Sequence, residues 1–582
     1  MAALERNENW VETDVLIVGG GLAGCFAAMK AVEHGVEVTL LEKANVPYTS
    51  SNTTGIDHFP YCFIPEVHGP LGYKIEDFVR DHTVKANGII DQNLCEMMWR
   101  DSYDRLLDLE KIGLKIRYDK IYPWNFGIEP GDYPDNPQFR IVPWFGFKVP
   151  PALNIEGRFI KARLDEKLRE LGIKVLNYHH AQELLMCDGS VIGAIGFHTR
   201  NGEFFAVQAK ATVIASGSLA RLFPSKVMFD HLNPPNQTAE GQTMAYRAGA
   251  ELAVMEHYFY GSQRVRIGAA RLKNWTRSAP ATPSGYPAGL IVNSAGEVMP
   301  NKVRSFDQSD SDELSRQQAE WIIRSLKEGK APFYWDATMA TEEERKYAEW
   351  SCAEEGGGVA LFQHLRELGA DFSTHQIEVE KPIVVEAHTP RGFLLTSPSG
   401  VVINEKAEST LPGLYAAGEV AYGQHFPSSP WAYVTGARAG HNAAEYALKN
   451  GAPEVDKGQV EVGKESLYAP LNQKEGPSWQ EMNLAINNLM VSYLRPSAHS
   501  LGIGLQQVQD LRGEGLKASN PHELMRCVET QSLLTVAEIF LRATSFKRKP
   551  DEWRILKKVD DKMRFTSKPI DYKYPVDLKA RS

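Results

Sequence analysis

Three glycines, Gly19-x-Gly21-x-x-Gly24, close the apolar run Asp14-Val15-Leu16-Ile17-Val18, which has the character of a buried parallel strand. A helical pattern, Cys25-Phe-Ala-Ala-Met-Lys-Ala-Val, follows, and a second strand, Val36-Glu-Val-Thr-Leu-Leu41, ends at Glu42 with Lys43 beside it. Strand, glycines, helix, strand and acid in that order make a βαβ dinucleotide fingerprint. Gly19 permits the tight turn, Gly21 lets backbone approach a pyrophosphate, and Gly24 lets helix and strand pack closely. Leu22 and Ala23 stand at a helix N-terminus, where free N–H groups and a partial positive charge attract anions. Glu42 can accept hydrogen bonds from ribose hydroxyls and would repel a 2′-phosphate. A dinucleotide is implied, but not yet which one.

Two later stretches narrow the choice. Ala211-Thr-Val-Ile-Ala215-Ser216-Gly217 is a strand ending in a small-residue turn, which lets backbone pass close to the adenosine half of a cofactor. Leu411-Pro-Gly-Leu-Tyr-Ala-Ala-Gly418-Glu419 is a turn, an apolar strand and Gly-Glu at its C-terminal end. A nicotinamide dehydrogenase would not need this late strand, so FAD is favoured over NAD.

Bulk properties exclude other classes. At 582 residues the chain should divide into three or four units. A net charge of −9 offers no basic field for nucleic acid. No window approaches the ~18–20 apolar residues needed to span a bilayer, and the polar N-terminus has no signal-peptide character, so a cytoplasmic protein is expected. The six cysteines are scattered without a C-x-x-C pair, so neither zinc nor an iron–sulfur cluster is readable and no metal site is expected. Cys25 reads as a small buried hydrophobe in the first helix.

The elements that must position these residues alternate as strand and helix over the first 250 residues. A polar loop, Tyr48–Gly55, follows the first unit. A helical pattern covers Ile75 to about Lys115, and an amphipathic helix, Arg158–Gly172, ends on glycine as a C-cap should. Strand-like runs recur at 174–178, 182–186, 191–195 and 211–215. From about Ala250 to Glu380 the pattern becomes a mixed insert with charged helices near 312–327 and 341–354. The α/β pattern returns at Ile383, and beyond a polar linker near 451–465 the chain is helical and charged.

With these motifs in place, the chain resembles the fumarate reductase/succinate dehydrogenase flavoprotein superfamily, and within it the α subunit of adenylylsulfate reductase. The resemblance implies an α/β fold. A discontinuous Rossmann-like FAD-binding domain (1–250 and 383–450) is interrupted by an α+β capping domain (251–382) and followed by a helical C-terminal domain (451–582). In succinate dehydrogenase-type members a His-Thr pair carries covalent FAD, whereas the loop here reads Ser50-Ser51-Asn52-Thr53-Thr54-Gly55, so non-covalent FAD is expected. The Asn-Thr pair is similar to the adenylylsulfate reductase loop. So are Gly423-Gln-His-Phe-Pro-Ser428-Ser429, beside the flavin in that enzyme, and Asn520-Pro-His-Glu-Leu-Met-Arg526. The arginine that grips a dicarboxylate in the succinate and fumarate subfamilies is replaced here by Pro427-Ser-Ser-Pro-Trp431, which argues against a simple dicarboxylate substrate.

The resemblance also assigns roles. His388, in Glu386-Ala-His-Thr-Pro-Arg-Gly392, matches a histidine that faces substrate at the flavin, where imidazole can stabilise developing charge or relay a proton. Outside that context it would read as a strand-end histidine bonding a carbonyl. Arg271, in Ala270-Arg-Leu-Lys-Asn, is similar to an arginine brought over the flavin, and a guanidinium fork suits an anionic substrate. Arg271 reads equally well as a solvated surface residue, and Arg264 and Arg266 compete for its role. Asn52 is the third catalytic candidate, and Trp431 a candidate pocket aromatic. The cofactor set implied is Gly19, Gly21, Leu22, Ala23, Gly24, Glu42, Lys43, Asn52, Thr53, Thr54, Gly55, Ala215, Ser216, Gly217, Gly418, Glu419, Ser428 and Ser429. The expected activity is two-electron transfer between FAD and a small anionic substrate, within an oligomeric assembly that includes an iron–sulfur partner subunit. Two readings stay open beside it: a stand-alone flavin-dependent reductase or dehydrogenase of an enoate or cyclic ketone, and a non-catalytic FAD-containing protein of electron transfer or assembly.

Overall fold

The computed structural model describes residues 9–51, 55–56, 58–86, 88–117, 139–142, 152–222, 236–256, 266–267, 290–299, 321, 324–336, 338, 342, 367, 369, 371, 373–380, 399–423, 429–451, 454–493, 498–546 and 552–576. Its centre is a seven-stranded sheet. The strand Trp10–Val18 pairs in parallel with Val38–Glu42 on one side and with Phe204–Ile214 on the other, and Lys174–Asn177 extends the sheet beyond Val38–Glu42. Leu16, Ile17 and Leu40 are wholly buried, as the near-continuous apolar runs require of parallel strands covered on both faces.

Phe204–Ile214 serves two arrangements at once. Its N-terminal half continues an antiparallel meander with Ser190–His198, which pairs in turn with His179–Cys187. Its C-terminal half pairs in parallel with Leu414–Ala416, returning from 200 residues downstream. The late Gly-Glu strand therefore sits beside the turn at Ala215–Gly217, so the Rossmann-like unit is discontinuous in sequence and continuous in space.

Helix Leu22–Val32 lies against helix Ser429–Lys449 with backbones in close approach. A Cβ on Gly436 would fall 2.3 Å from the Ala23 carbonyl oxygen, and one on Gly440 would fall 2.0 Å from that of Ala27. Cys25 is buried in this first helix. The pattern from Ile75 to Lys115 resolves into two helices, Ile75–Lys85 and Gln92–Lys111, the second capped by Asp91. The amphipathic segment forms the helix Ile160–Glu170, with Gly172 at φ +71 beyond its end.

In the insert, Leu290–Asn293, Phe333–Asp336 and Gln376–Glu380 form an antiparallel sheet to which Arg266–Ile267 adds by pairing with Val379 and Glu380. The tail carries four helices, Lys457–Asn472, Trp479–Ser492, Ala498–Gly513 and Pro521–Ser545. It then departs from a purely helical reading, because Glu552–Val559 and Lys562–Pro569 form a hairpin. That hairpin pairs with Leu252–Ala253, which also pairs with Gly400–Val401, so the tail is stitched to both edges of the insert. Among the described residues no helix is long and apolar enough to cross a membrane, and no group of three metal-ligating side chains is assembled.

Candidate functional site

The glycine turn works as its spacing demands. Gly19 sits at φ +108, and a Cβ there would lie 2.5 Å from the Ala215 carbonyl oxygen, so the first glycine is what lets the turn meet the 215–217 segment. A Cβ on Gly24 would lie 1.8 Å from the Gly19 carbonyl oxygen, which makes Gly24 an internal packing requirement of the turn. The buried Glu42 carboxylate accepts the Gly20 N–H on Oε2 at 2.8 Å and the Ala44 N–H on Oε1 at 2.8 Å. It ties the turn to the end of the second strand, and each oxygen keeps acceptor capacity for a ribose hydroxyl.

Gly19, Gly21, Leu22, Ala23, Glu42, Lys43, Gly55, Ala215, Ser216, Gly217, Gly418, Glu419 and Ser429 all line one continuous cavity, drawn from segments more than 400 residues apart in sequence. Gly24 stands behind the wall. Asn52, Thr53, Thr54, Ser428, Arg264, Arg271 and His388 lie outside the described residues. Trp431 is buried behind the cavity rather than facing it. Its indole N–H donates to the Gly418 carbonyl at 3.0 Å while Thr435 Oγ1 accepts the Gly418 N–H at 2.9 Å. Gly418, at φ +73, is thus held by both of its peptide groups.

One wall escapes motif reading. Asn236, Gln237 and Glu240 line the cavity just before and at the start of helix Glu240–Ala248, which follows Ala239 at φ +64. Gln237 bridges two parts of the site. Its Oε1 accepts from the Ser218 N–H at 3.2 Å and hydroxyl at 2.6 Å, and its Nε2 donates to Ser51 Oγ at 3.0 Å. The available sequence signal was a polar run, Asn-Gln-Thr, leading into Glu-Gly at the start of a second helix whose N-terminus borders the cavity. Two cavity-lining groups, Ser216 Oγ and Asn236 Oδ1, are buried with no hydrogen-bond partner among the described residues. Unsatisfied polar atoms, glycine walls that a Cβ would fill and two helix N-termini suit a long polar dinucleotide.

Lys43 lines the cavity and also anchors a buried charge network behind it. Its ammonium is bound by the Asn236 carbonyl at 2.5 Å, Glu240 Oε1 at 2.5 Å and Glu529 Oε1 at 2.8 Å. Glu529, wholly buried on helix Pro521–Ser545, also meets Arg221 at 2.7 Å and Arg526 at 2.8 Å. Burial alone would raise the Glu529 carboxyl pKa, but Lys43, Arg221 and Arg526 outweigh it and hold the group well below the carboxylate range. Glu240 behaves likewise: burial pushes up, Lys43 and His180 pull down further. For Lys43, burial favours the neutral amine, yet Glu240 and Glu529 hold its pKa above the ordinary lysine value. Burial lowers the pKa of His180, another cavity residue, below the ordinary histidine value.

The linkage signs follow. Depressed carboxyl pKa values give stability that is present above about pH 4.5, the unfolded value, and is lost as pH falls toward the folded ones; the raised Lys43 pKa gives stability lost only above about pH 10.4. Acidification below about pH 4.5 is therefore expected to release the cofactor and loosen the tail together. Flavin fluorescence and tryptophan emission followed through one acid titration should show a single midpoint. Cofactor release well before any change in the tail would contradict the network's role.

Comparison with known proteins agrees with this geometry. The family model described as an FAD binding domain matches residues 14–428. A fumarate reductase (CoM/CoB) chain of Methanothermobacter marburgensis is 26% identical over 76% of this chain and 74% of its own length. An uncharacterised FAD-dependent oxidoreductase of Methanocaldococcus jannaschii is 23% identical over 92% of both chains. The structure of adenylylsulfate reductase from Archaeoglobus fulgidus superposes with a TM-score of 0.74 at 20% identity, covering 97% of this chain and 96% of that one. With residues 14–428 matched by the family model, the chain belongs to the FAD binding domain family and is an FAD-dependent oxidoreductase, similar to fumarate reductase and adenylylsulfate reductase flavoproteins.

Proposed function

We propose that the protein exchanges two electrons with a small anionic substrate in the manner of the α subunit of adenylylsulfate reductase, and exchanges electrons in turn with an iron–sulfur partner. The observation that carries this is the pairing of Arg266–Ile267 with Val379–Glu380, antiparallel, on the sheet of the insert. It sets the arginine-bearing segment, with Arg264 and Arg271 on either side of the pair, next to the strand whose continuation carries His388.

FAD supplies the two-electron redox chemistry. The protein's part is to bind and orient: an arginine neutralises the substrate's charge, His388 orients it or holds a proton at its imidazole, and Asn52 belongs to the segment whose described members Ser51 and Gly55 line the cavity. The histidine-free loop supports non-covalent FAD. The Pro427–Trp431 segment, lacking the dicarboxylate arginine, supports a substrate other than fumarate, although the methanogen relative is named for fumarate.

Anaerobic stopped-flow of the reduced protein against adenylylsulfate, fumarate and a panel of enoates tests the reading. Rapid flavin reoxidation by adenylylsulfate is expected. Reoxidation by an enoate but not by adenylylsulfate would replace it with a stand-alone enoate reductase.

A further inference from the structure

Lys161 is 2% exposed, and its ammonium donates to the carbonyl oxygen of Gly20, inside the glycine turn. Two features make this an unfavourable place for a lysine in the protein alone. It lies in the first turn of helix Ile160–Glu170, a turn that contains no acidic residue, so its charge opposes the helix dipole. It is also a buried cation to which no ion pair is made among the described residues. A buried charge without a counter-charge is costly, and a carbonyl oxygen compensates only part of that cost.

Gly20 is gripped through both of its peptide groups: Lys161 holds the Gly20–Gly21 peptide by its carbonyl, and Glu42 holds the Gly19–Gly20 peptide by its N–H. The Cys25 thiol adds a weaker contact to the same carbonyl at 3.4 Å. These contacts fix both peptide planes between Gly19 and Gly21, the first two glycines of the fingerprint. The next residue, Gly21, is the N-cap of helix Leu22–Val32 and lines the cavity. Turns of this type receive a pyrophosphate at the helix N-terminus. The counter-charge that Lys161 lacks in the protein is thus of the kind that the cofactor brings.

We propose that Lys161 is a positioning residue for the cofactor's pyrophosphate, acting from behind the glycine turn: it locks the Gly20 peptide for phosphate contact and supplies a buried positive charge that is neutralised only when the dinucleotide is bound. The inference concerns the phosphates and not the flavin chemistry, so it stands whichever substrate the enzyme takes.

The test measures the full-length protein, stripped of cofactor and reloaded, as wild type, Lys161→Met and Lys161→Arg. In K161M the dissociation constants for FAD and for ADP, which carries the pyrophosphate without the flavin, should rise together by about ten- to hundredfold. Riboflavin affinity should not change. In K161R the FAD value should stay within about threefold of wild type, because the charge is kept. The melting temperature of cofactor-free K161M should equal or exceed that of wild type, since an uncompensated charge has been removed. Unchanged FAD and ADP affinity in K161M would overturn the proposal. So would a K161M protein that melts lower than wild type without cofactor or fails to fold, because the lysine would then be serving the fold itself.

Discussion

Replacing Glu529 with alanine is expected to destabilise the protein by about 3–5 kcal/mol and to leave it purifying without FAD. The side chain is wholly buried, and its two carboxylate oxygens are shared among Lys43, Arg221 and Arg526. Removing it strands three cations, two of them on cavity-bordering segments and one on the tail helix itself. Among its counter-charges Lys43 would keep only Glu240, which lines the cavity wall. Glutamine at 529 preserves shape but not charge, so it should lose less stability while still raising the FAD dissociation constant. Urea unfolding of the cofactor-free and loaded protein checks both parts. Glu475→Ala, at an exposed position, provides the control and should stay within about 0.5 kcal/mol of wild type. Wild-type stability in E529A would show that the network contributes nothing net and that the tail helix is held by its apolar face alone.

That prediction could not have been drawn from sequence, and the reason is physical. Glu529 lies three residues beyond Arg526 on a charged helix, where such a pair reads as a solvated i,i+3 contact of small value. Its real partner, Lys43, is 486 residues away. The same holds for Lys161, one of several charges on an amphipathic helix whose neighbours Arg163 and Lys167 do form ordinary exposed pairs. The glycine fingerprint was legible because it encodes a backbone conformation, and the positive φ of Gly19, Gly217 and Gly418 bears out the need for glycine there. The strand-like runs at 191–195 and 211–215 were legible because a buried sheet demands unbroken apolar runs, and they lie within Ser190–His198 and at the end of Phe204–Ile214, whose first half was not read. The C-terminal hairpin was not. Its strands are Glu-Trp-Arg-Ile-Leu-Lys-Lys-Val and Lys-Met-Arg-Phe-Thr-Ser-Lys-Pro, the second at a sheet edge where charge discourages further pairing, and a charged run after long helices reads as more helix. The Asn236–Glu240 wall lacked periodicity of any kind, being a helix entry defined by Ala239 at positive φ.

Gly440→Ala, a single added methyl group, is expected to cost about 3 kcal/mol or more and to weaken FAD binding from the far side of the cavity wall. The new Cβ would lie 2.0 Å from the Ala27 carbonyl oxygen, 2.7 Å from its carbon and 2.8 Å from Ala27 Cα, all of them backbone atoms that no rotamer change can move. Helices Leu22–Val32 and Ser429–Lys449 must then part by more than an ångström along a wholly buried face, which combines overpacking at one glycine with voids at its neighbours. The consequence reaches the cofactor because these same helices begin at the cavity. Leu22 and Ala23 line it from one helix, Ser429 and Ala432 from the other, and a Cβ on Gly418 would already come within 3.0 Å of Ala23 Cβ. Separating the helices moves the two sequence-distant halves of the FAD site apart. Gly451→Ala, with nothing within 4 Å of the added atom, should leave both stability and affinity near wild type. Thermal melting of the two variants, with and without added FAD, distinguishes the cases. A G440A protein that melts with the wild type would mean that the helices can slide to accept the methyl group, and that the close glycine approach is not what joins the N-terminal fingerprint to the late Gly-Glu strand.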